Sequence, residues 1–256
     1  MSKRDVKIRT QASEIRSRIG LNDISPVNIP TVFNSLSFSL VKRPMESSLS
    51  GAFLRIGREN IIFINTAKSL GHQNFTAAHE LFHAAFDNEI NSRGCETEKF
   101  SDGKRDQHEK NADLFASLFL LPEEAITVYL KKRLEMHRRG KPDLSDIIYL
   151  EQIFQVSHAS MINRLLALKY ISRHQYEEFK PDIRVNARFL GYPTDLYYPD
   201  NKTQIISSFA QKAREAYERN LISTSRYEEL LYEIGIIDPL LEEEHFTEIT
   251  PEDSLF

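Results

Sequence analysis

The chain has 256 residues, of which 41% are hydrophobic and 27% are charged, and its formal net charge is −4 at pH 7. This composition predicts a globular protein of one large or two modest domains, and the slight acidic excess excludes a basic field over the whole surface for nucleic acid. The single cysteine, Cys95, excludes an internal disulfide and a metal site made of several thiolates.

No segment is a candidate for membrane insertion or for export. The longest apolar runs fall short of the ~18–20 residues that span a bilayer. Residues 1–5 are charged and lead into no apolar stretch, so we expect no secretory signal. The expected location is the cytoplasm, without membrane association.

The first 65 residues predict two helices and then a small antiparallel sheet. Residues 5–19 have an imperfect apolar stripe that stops at Gly20, and a second short helix is predicted to open at Ser25 and Pro26. Three strand-like segments follow, at residues 37–41, 51–56 and 60–65, with a hairpin turn at 57–60.

The next segment, residues 74–86, predicts a helix with polar groups on one face only. His79 and His83 form a His-Glu-x-x-His motif, and one helical turn places both imidazoles where they can reach one metal ion. Glu80 lies about 100° around the helix from His79, where it can hold a metal-bound water. Two ordinary hydrogen-bonded histidines are the alternative, so a third ligand is needed.

Glu109 is the predicted third ligand, at the start of a second helix over residues 109–121. The small residues Ala112 and Ala116 share its face and let this helix approach the first one closely, so that the carboxylate can span the gap to the metal. His108 is the rival ligand. A solvated glutamate at a helix start is the structural alternative for Glu109.

Residues 88–107 separate the two helices and are polar and charged. This composition predicts a surface loop, and a loop of this length either has a function, such as overhanging a cleft, or is disordered. Cys95 lies in the loop. It is either an ordinary loop cysteine or a fourth, inhibitory metal ligand.

The region after Pro122 predicts further helices and a weak contact to DNA through residues 131–169. The next helix reaches about residue 139, and a basic cluster near its end is either a phosphate contact or a solvated helix end. The cluster consists of Lys131, Lys132, Arg133, His137, Arg138, Arg139 and Lys141. Residues 143–169 have helix-turn-helix spacing, with Ser157 as a cap. As a DNA reader this pair would present His158, Ser160, Asn163 and Arg164 to the bases. A packing module is the alternative.

The last part of the chain predicts a small helical unit and an acidic tail. Residues 204–220 and 225–234 alternate apolar and charged residues at helical spacing. Residues 242–253 are rich in acids and contain Pro251, which is typical of a mobile segment.

Two separate motifs, His79-Glu80-Leu81-x-His83 and Glu109-x-x-Ala112-Asp113-x-Phe115-Ala116, resemble in order and spacing the ImmA/IrrE family of zinc metallopeptidases. The resemblance implies that His79, His83 and Glu109 bind Zn²⁺ and that Glu80 is catalytic. It also implies a cytoplasmic protein, several relatives of which cleave a helix-turn-helix repressor. From zinc peptidases of this general build we further expect the second or third strand to hold the substrate backbone as an added strand; a purely structural sheet is the alternative. Phe82 departs from the family, whose members usually have glycine before the second histidine.

The sequence therefore predicts an α+β, mostly helical fold, in which a small antiparallel sheet packs on a zincin-like two-helix metal core. The predicted domains are a metallopeptidase-like domain at 1–140, a helix-turn-helix-like module at 141–182 and a C-terminal helical unit with an acidic tail at 183–256. Besides the metal, such a site usually has a second electrophile, a Tyr, His or Arg over the cleft. The candidates are Tyr129, Tyr149, His158, His174 and Tyr192.

The predicted function is a zinc-dependent endopeptidase of regulatory type that cleaves a specific cytosolic protein, such as a repressor. The first alternative is a non-proteolytic regulator that binds DNA or a partner on the same scaffold. The second is a protein that senses a signal by gaining or losing zinc. Glu80 favours the peptidase, because a purely structural metal site does not need that carboxylate.

Overall fold

The computed structural model describes residues 2–56, 59–87, 92–95 and 107–233. A first compact unit ends at Ile206 and a second begins at Ser207. The elements of the first unit are α1 (Lys3–Arg18), α2 (Ile29–Leu36), β1 (Ser39–Arg43), β2 (Gly51–Ile56), β3 (Glu59–Asn65), α3 (Leu70–Phe86), β4 (Ser92–Cys95), α4 (Gln107–Leu120), α5 (Glu123–Met136), α6 (Leu144–Phe154), α7 (His158–Ala167), α8 (Arg173–Phe179), α9 (Ile183–Phe189), a 3₁₀ turn (Asp195–Tyr197) and β5 (Gln204–Ile206). The second unit contributes α10 (Ser208–Glu218) and α11 (Thr224–Glu233).

These elements confirm the α+β, mostly helical fold class. The predicted domain boundaries at residues 140 and 182 stay a prediction. The tail at 242–253 lies outside the described residues.

The sheet is mixed, so the expectation of an antiparallel sheet was wrong in one pairing. The described strands have the order β4-β2-β3-β1-β5, and β2 and β3 form the predicted antiparallel hairpin. β1 instead lies parallel to β3 on its other side, with Leu40 opposite Ile62. The connection from β1 to β2 therefore crosses the end of β3. There the Asn65 amide accepts from the Met45 N–H (3.0 Å) and donates to the carbonyl oxygens of Met45 (3.1 Å) and Leu49 (2.9 Å).

This order also contradicts the expected place for an added substrate strand. β2 lies between β4 and β3, and β3 lies between β2 and β1, so both have neighbours on each side. The edges of the described sheet are β4 and β5. β4 falls within the segment predicted to be a loop, and the rest of that segment, residues 88–91 and 96–106, lies outside the described residues.

Two helices begin at residues other than those that the sequence predicts. α2 is capped by Asn28, whose side chain accepts from the Thr31 N–H at 3.0 Å, and not by the predicted Ser25. α3 starts at Leu70 because its N–H donates to the carbonyl of Tyr198 at 3.1 Å. Asn74, the first residue of the helix predicted at 74–86, lies inside α3.

The core joins α3 to α4 and to the sheet. Ala112 and Ala116 of α4 are completely buried, which confirms that small residues bring the two helices together. Phe82 and Phe115 continue the contact, with ring centroids 5.5 Å apart. The apolar face of α3 thus fixes the direction in which its polar face points.

The helix pair α6 and α7 packs directly on the start of α3. The Asn74 side chain donates to the carbonyl of Gln155 at 2.8 Å, and Gln155 takes the left-handed conformation (φ 53°) in which a turn glycine is common. Ser157 caps α7 by accepting from the Ser160 N–H at 3.3 Å, as predicted. The turn between α6 and α7 is therefore a contact surface for α3, which is called the metal helix below because it carries His79 and His83.

Candidate metal centre

Three predicted ligand side chains converge between α3 and α4. The Nε2 atoms of His79 and His83 lie 3.2 Å apart. Glu109 faces both, with Oε2 at 3.2 Å from His79 Nε2 and Oε1 at 3.4 Å from His83 Nε2. Within the described residues this cluster is suited to hold a metal ion. Helical spacing brings the imidazoles together, and the close approach of α4 brings the carboxylate.

Carboxylates behind the histidines determine which ring nitrogens face inward. His79 Nδ1 lies 3.0 Å from Asp113 Oδ1, and His83 Nδ1 lies 2.6 Å from Asp87 Oδ2. A carboxylate only accepts, so each Nδ1 carries the proton and donates. In the neutral rings each Nε2 then presents its lone pair to the centre of the cluster.

This arrangement fits a divalent cation. Lone pairs of two imidazoles and a carboxylate 3.2–3.4 Å apart repel one another unless a positive charge lies between them. A tetrahedral zinc site with bonds of about 2.0–2.1 Å separates its ligand atoms by about 3.3 Å. The donor set of two histidines and one glutamate also matches catalytic zinc, which keeps a fourth position open.

Positive charge between these groups favours the anionic form of Glu109. Partial burial by itself would raise the pKa of the carboxyl, but His79 and His83, when their Nε2 atoms are protonated and donate to the carboxylate, outweigh burial and hold the pKa below the ordinary value of 4.5. The side chain is therefore an anion over the physiological pH range. It is 17% exposed, whereas both histidine side chains are 0% exposed.

Glu80 and Phe82 occupy different sides of the same helix. Glu80 follows His79 and is 0% exposed. Phe82 packs against Phe115 and Phe86, and its ring meets the edge of His83 at a centroid distance of 5.8 Å. Phenylalanine before the second histidine thus adds apolar packing without adding a polar group to the centre.

Other candidate residues lie elsewhere. His108 contacts Asp87 (Nδ1 to Oδ1 3.1 Å) and is not part of the three-residue cluster. The side chain of Cys95 lies outside the described residues. Among the candidates for a second electrophile, Tyr192 bonds to Arg133, and His158 is buried between Glu151 and the carbonyl of Phe179.

Sequence reasoning missed the two carboxylates behind the histidines. Asp87 follows His83 by four residues, and Asp113 follows Glu109 by four residues. Since residues four apart share a helix face, this spacing was the available signal.

A comparison with protein families matches residues 34–166 to Peptidase_M78, the IrrE N-terminal-like domain. The chain belongs to this family. The matched span covers more than half of the chain, contains the three-residue cluster and confirms the family resemblance found in the two motifs. A comparison with curated proteins gave no match.

The IrrE N-terminal-like span ends within α7, whose predicted base-reading side chains are only partly accessible. His158 and Arg164 are buried, and Arg164 donates to the carbonyl of Leu121 at 2.9 Å. Asn163 is exposed. In the basic cluster, Arg133 and Arg139 both bind Asp146.

No helix in the described part of the chain combines the length and the apolar character that crossing a membrane requires.

Proposed function

We propose that the protein is a zinc-dependent endopeptidase of regulatory type, which cleaves a specific cytosolic protein such as a helix-turn-helix repressor. The supporting observation is the convergence of His79 Nε2, His83 Nε2 and the Glu109 carboxylate, with separations typical of tetrahedral zinc. Membership of the peptidase family supports the same chemistry. The choice of a repressor follows from the family resemblance of the two motifs.

Each residue of the centre has a distinct role in this proposal. His79, His83 and Glu109 hold the ion, which when bound supplies Lewis acidity toward water and toward the substrate carbonyl. Glu80 takes a proton from the attacking water and passes it to the leaving amine.

The substrate backbone is proposed to add to the outer edge of β4. β4 pairs with β2 at Phe53 opposite Arg93, and the ring of Phe53 stacks on His83 at 6.0 Å, so this edge of the sheet borders the metal centre. An added strand donates and accepts at every second residue. A series of peptides, each N-methylated at one backbone position near the cut site, tests this pairing. Methylation at every second position should prevent cleavage, and methylation at the positions between should not. Loss of cleavage without this alternation would contradict strand addition.

The decisive experiment compares the wild-type protein with Glu80→Gln. Zinc content is measured after purification, and each protein is then incubated with the products of neighbouring genes. We expect equal zinc in both, specific cleavage by the wild type and no cleavage by Glu80→Gln. Glu124→Gln, at an exposed position on α5, is the matched control and should cleave like the wild type. Zinc-free wild type, or cleavage by Glu80→Gln at the wild-type rate, would contradict the proposal.

We also propose a weak DNA contact through residues 131–169. Exposed cations remain in this region at Lys132, Arg138 and Lys141, while Arg133 and Arg139 are held by Asp146. Such contacts are to phosphates and weaken steeply with salt. Binding to duplex DNA at 50 and 200 mM salt, with Lys132→Glu for comparison, tests this; binding unaffected by that substitution excludes the contact.

A further inference from the structure

The carboxylate of Asp87 contacts two histidines from two different helices. Its Oδ2 lies 2.6 Å from His83 Nδ1, and its Oδ1 lies 3.1 Å from His108 Nδ1. Asp87 follows the last residue of α3, whereas His108 is in the first turn of α4. One side chain therefore links the end of the metal helix to the start of the helix that carries Glu109.

Backbone contacts hold Asp87 in place independently of the two imidazole rings. It is 8% exposed, and its N–H donates to the carbonyl of His83 at 3.1 Å. Its own carbonyl accepts from Arg55 Nη1 at 3.1 Å, and Arg55 Nη2 donates to the carbonyl of Ala84 at 2.9 Å. The backbone on which the carboxylate is mounted is thus fixed to β2, and the side chain has little freedom.

The two contacts have different consequences for the metal centre. The His83 contact fixes the tautomer and the plane of the imidazole, because the Nδ1–H must point at Oδ2. The His108 contact fixes the first turn of α4, and Glu109 is the next residue in that turn. The distance between His83 Nε2 and Glu109 Oε1, 3.4 Å, therefore depends on Asp87 from both sides.

We propose that Asp87 is a positioning residue that sets two of the three metal ligands at once, His83 directly and Glu109 through His108. The inference rests on the proposed zinc site. Asp113 is the natural comparison, because it contacts Nδ1 of the other ligand histidine, His79, and its side chain is 29% exposed, against 7% for Asp87. Asp87 is the more buried of the two and acts on two helices.

The test uses the full-length protein and measures zinc affinity by competition with a chelator. Asp87→Asn, which keeps the size and removes the charge, should weaken zinc binding about ten- to hundredfold. His108→Ala should weaken it about fivefold, the equivalent of one ordinary hydrogen bond. His108→Asn, whose amide can donate from the position of Nδ1, should restore wild-type affinity. His174→Ala, at a position 90% exposed, is the control and should change nothing.

Two further measurements separate positioning from general support of the fold. The visible absorption of the cobalt-substituted protein reports ligand geometry and should change in Asp87→Asn, while a purely structural aspartate would lower only the melting temperature of the metal-free protein. Unchanged zinc affinity and an unchanged cobalt spectrum in Asp87→Asn would overturn the inference. Because these readouts do not require cleavage, a wild type that binds zinc without cutting any protein would refute the peptidase and leave this test intact.

Discussion

Gly71, in the first turn of α3, lies directly against the backbone of Ser157 in the turn between α6 and α7. A methyl group at Gly71 would come within 2.6 Å of Ser157 N and 2.8 Å of Val156 C. Backbone atoms cannot move aside as the end of a flexible side chain can. At Gly71 the backbone of α3 is consequently in direct contact with the backbone of the turn between α6 and α7.

Gly71→Ala should destabilise the protein by about 1–3 kcal/mol, the usual cost of overpacking. The sign of this change in stability is informative, because alanine in place of glycine within a helix ordinarily stabilises a protein by about 1 kcal/mol. Urea unfolding measures the difference. Gly140→Ala, where nothing lies within 4 Å of the added methyl, is the control and should stay within about 0.5 kcal/mol of the wild type. A neutral Gly71→Ala would mean that the helix pair is not seated on α3.

Removal of a ligand should abolish the stabilisation that zinc provides. His79→Ala and Glu109→Ala each leave two donors, too few for a closed site, and the binding energy of a metal is also folding energy. Zinc in hundredfold excess over its dissociation constant stabilises the wild type by about 2.7 kcal/mol. We expect thermal unfolding with and without zinc to show this shift in the wild type and no shift in either variant. Glu135→Ala, at an exposed site, should behave like the wild type.

The buried hydroxyl of Tyr197 should make stability depend on alkaline pH. Burial, and then the nearby Glu151 carboxylate that accepts its hydrogen bond at 2.6 Å, raise the pKa of Tyr197 far above its ordinary value of 10.0. The unfolded chain releases this proton near pH 10, whereas the folded protein retains it, so stability is complete below that pH and falls as the pH rises. The slope is at most about 1.4 kcal/mol per pH unit.

Tyr197→Phe removes that titration, so its free energy of unfolding should fall less steeply above pH 10 than that of the wild type. At neutral pH the variant should be less stable by about 1–3 kcal/mol, because Glu151 loses a hydrogen bond. Tyr232→Phe, at a position 58% exposed, supplies the control. Parallel pH profiles for the wild type and Tyr197→Phe would contradict the assignment.

Asn65→Ala should cost about 2–4 kcal/mol, because several partly buried backbone groups of the β1–β2 connection lose their partner together. Asn65 is 1% exposed and bonds to Met45 and Leu49 across this connection. Chemical denaturation should show the loss, and Asn163→Ala, on the exposed side of α7, should be nearly neutral. A small effect at Asn65 would mean that the connection is held elsewhere.

The parts of the fold that the sequence predicted are those determined locally. The apolar stripes of α3 and α4, the alternation in β2 and the apolar run of β3 are visible within a few residues. The parallel place of β1 depends on a connection that crosses β3, and the start of α3 depends on Tyr198, more than a hundred residues away. β4 has four residues in a polar stretch, too few for a pattern to show.

The same distinction applies to the candidate site. The spacing of His79 and His83 predicts their shared face, and Glu109 became a candidate through the small residues beside it. Their convergence agrees with that prediction, while their role as zinc ligands stays a prediction. Asp87 joins α3 to α4 across a chain segment of twenty residues, a relationship that no local pattern contains.

The place of β5 has a practical consequence for anyone producing the protein. This strand pairs with β1 and follows the family span of 34–166, as does Tyr198, whose carbonyl receives the first amide of α3. Arg16 precedes that span and donates to the carbonyl of Phe119 at 2.7 Å. A truncation to 34–166 would uncover the side of β1 and invite edge-to-edge aggregation. The shortest portion worth expressing for crystallisation therefore covers residues 1–206.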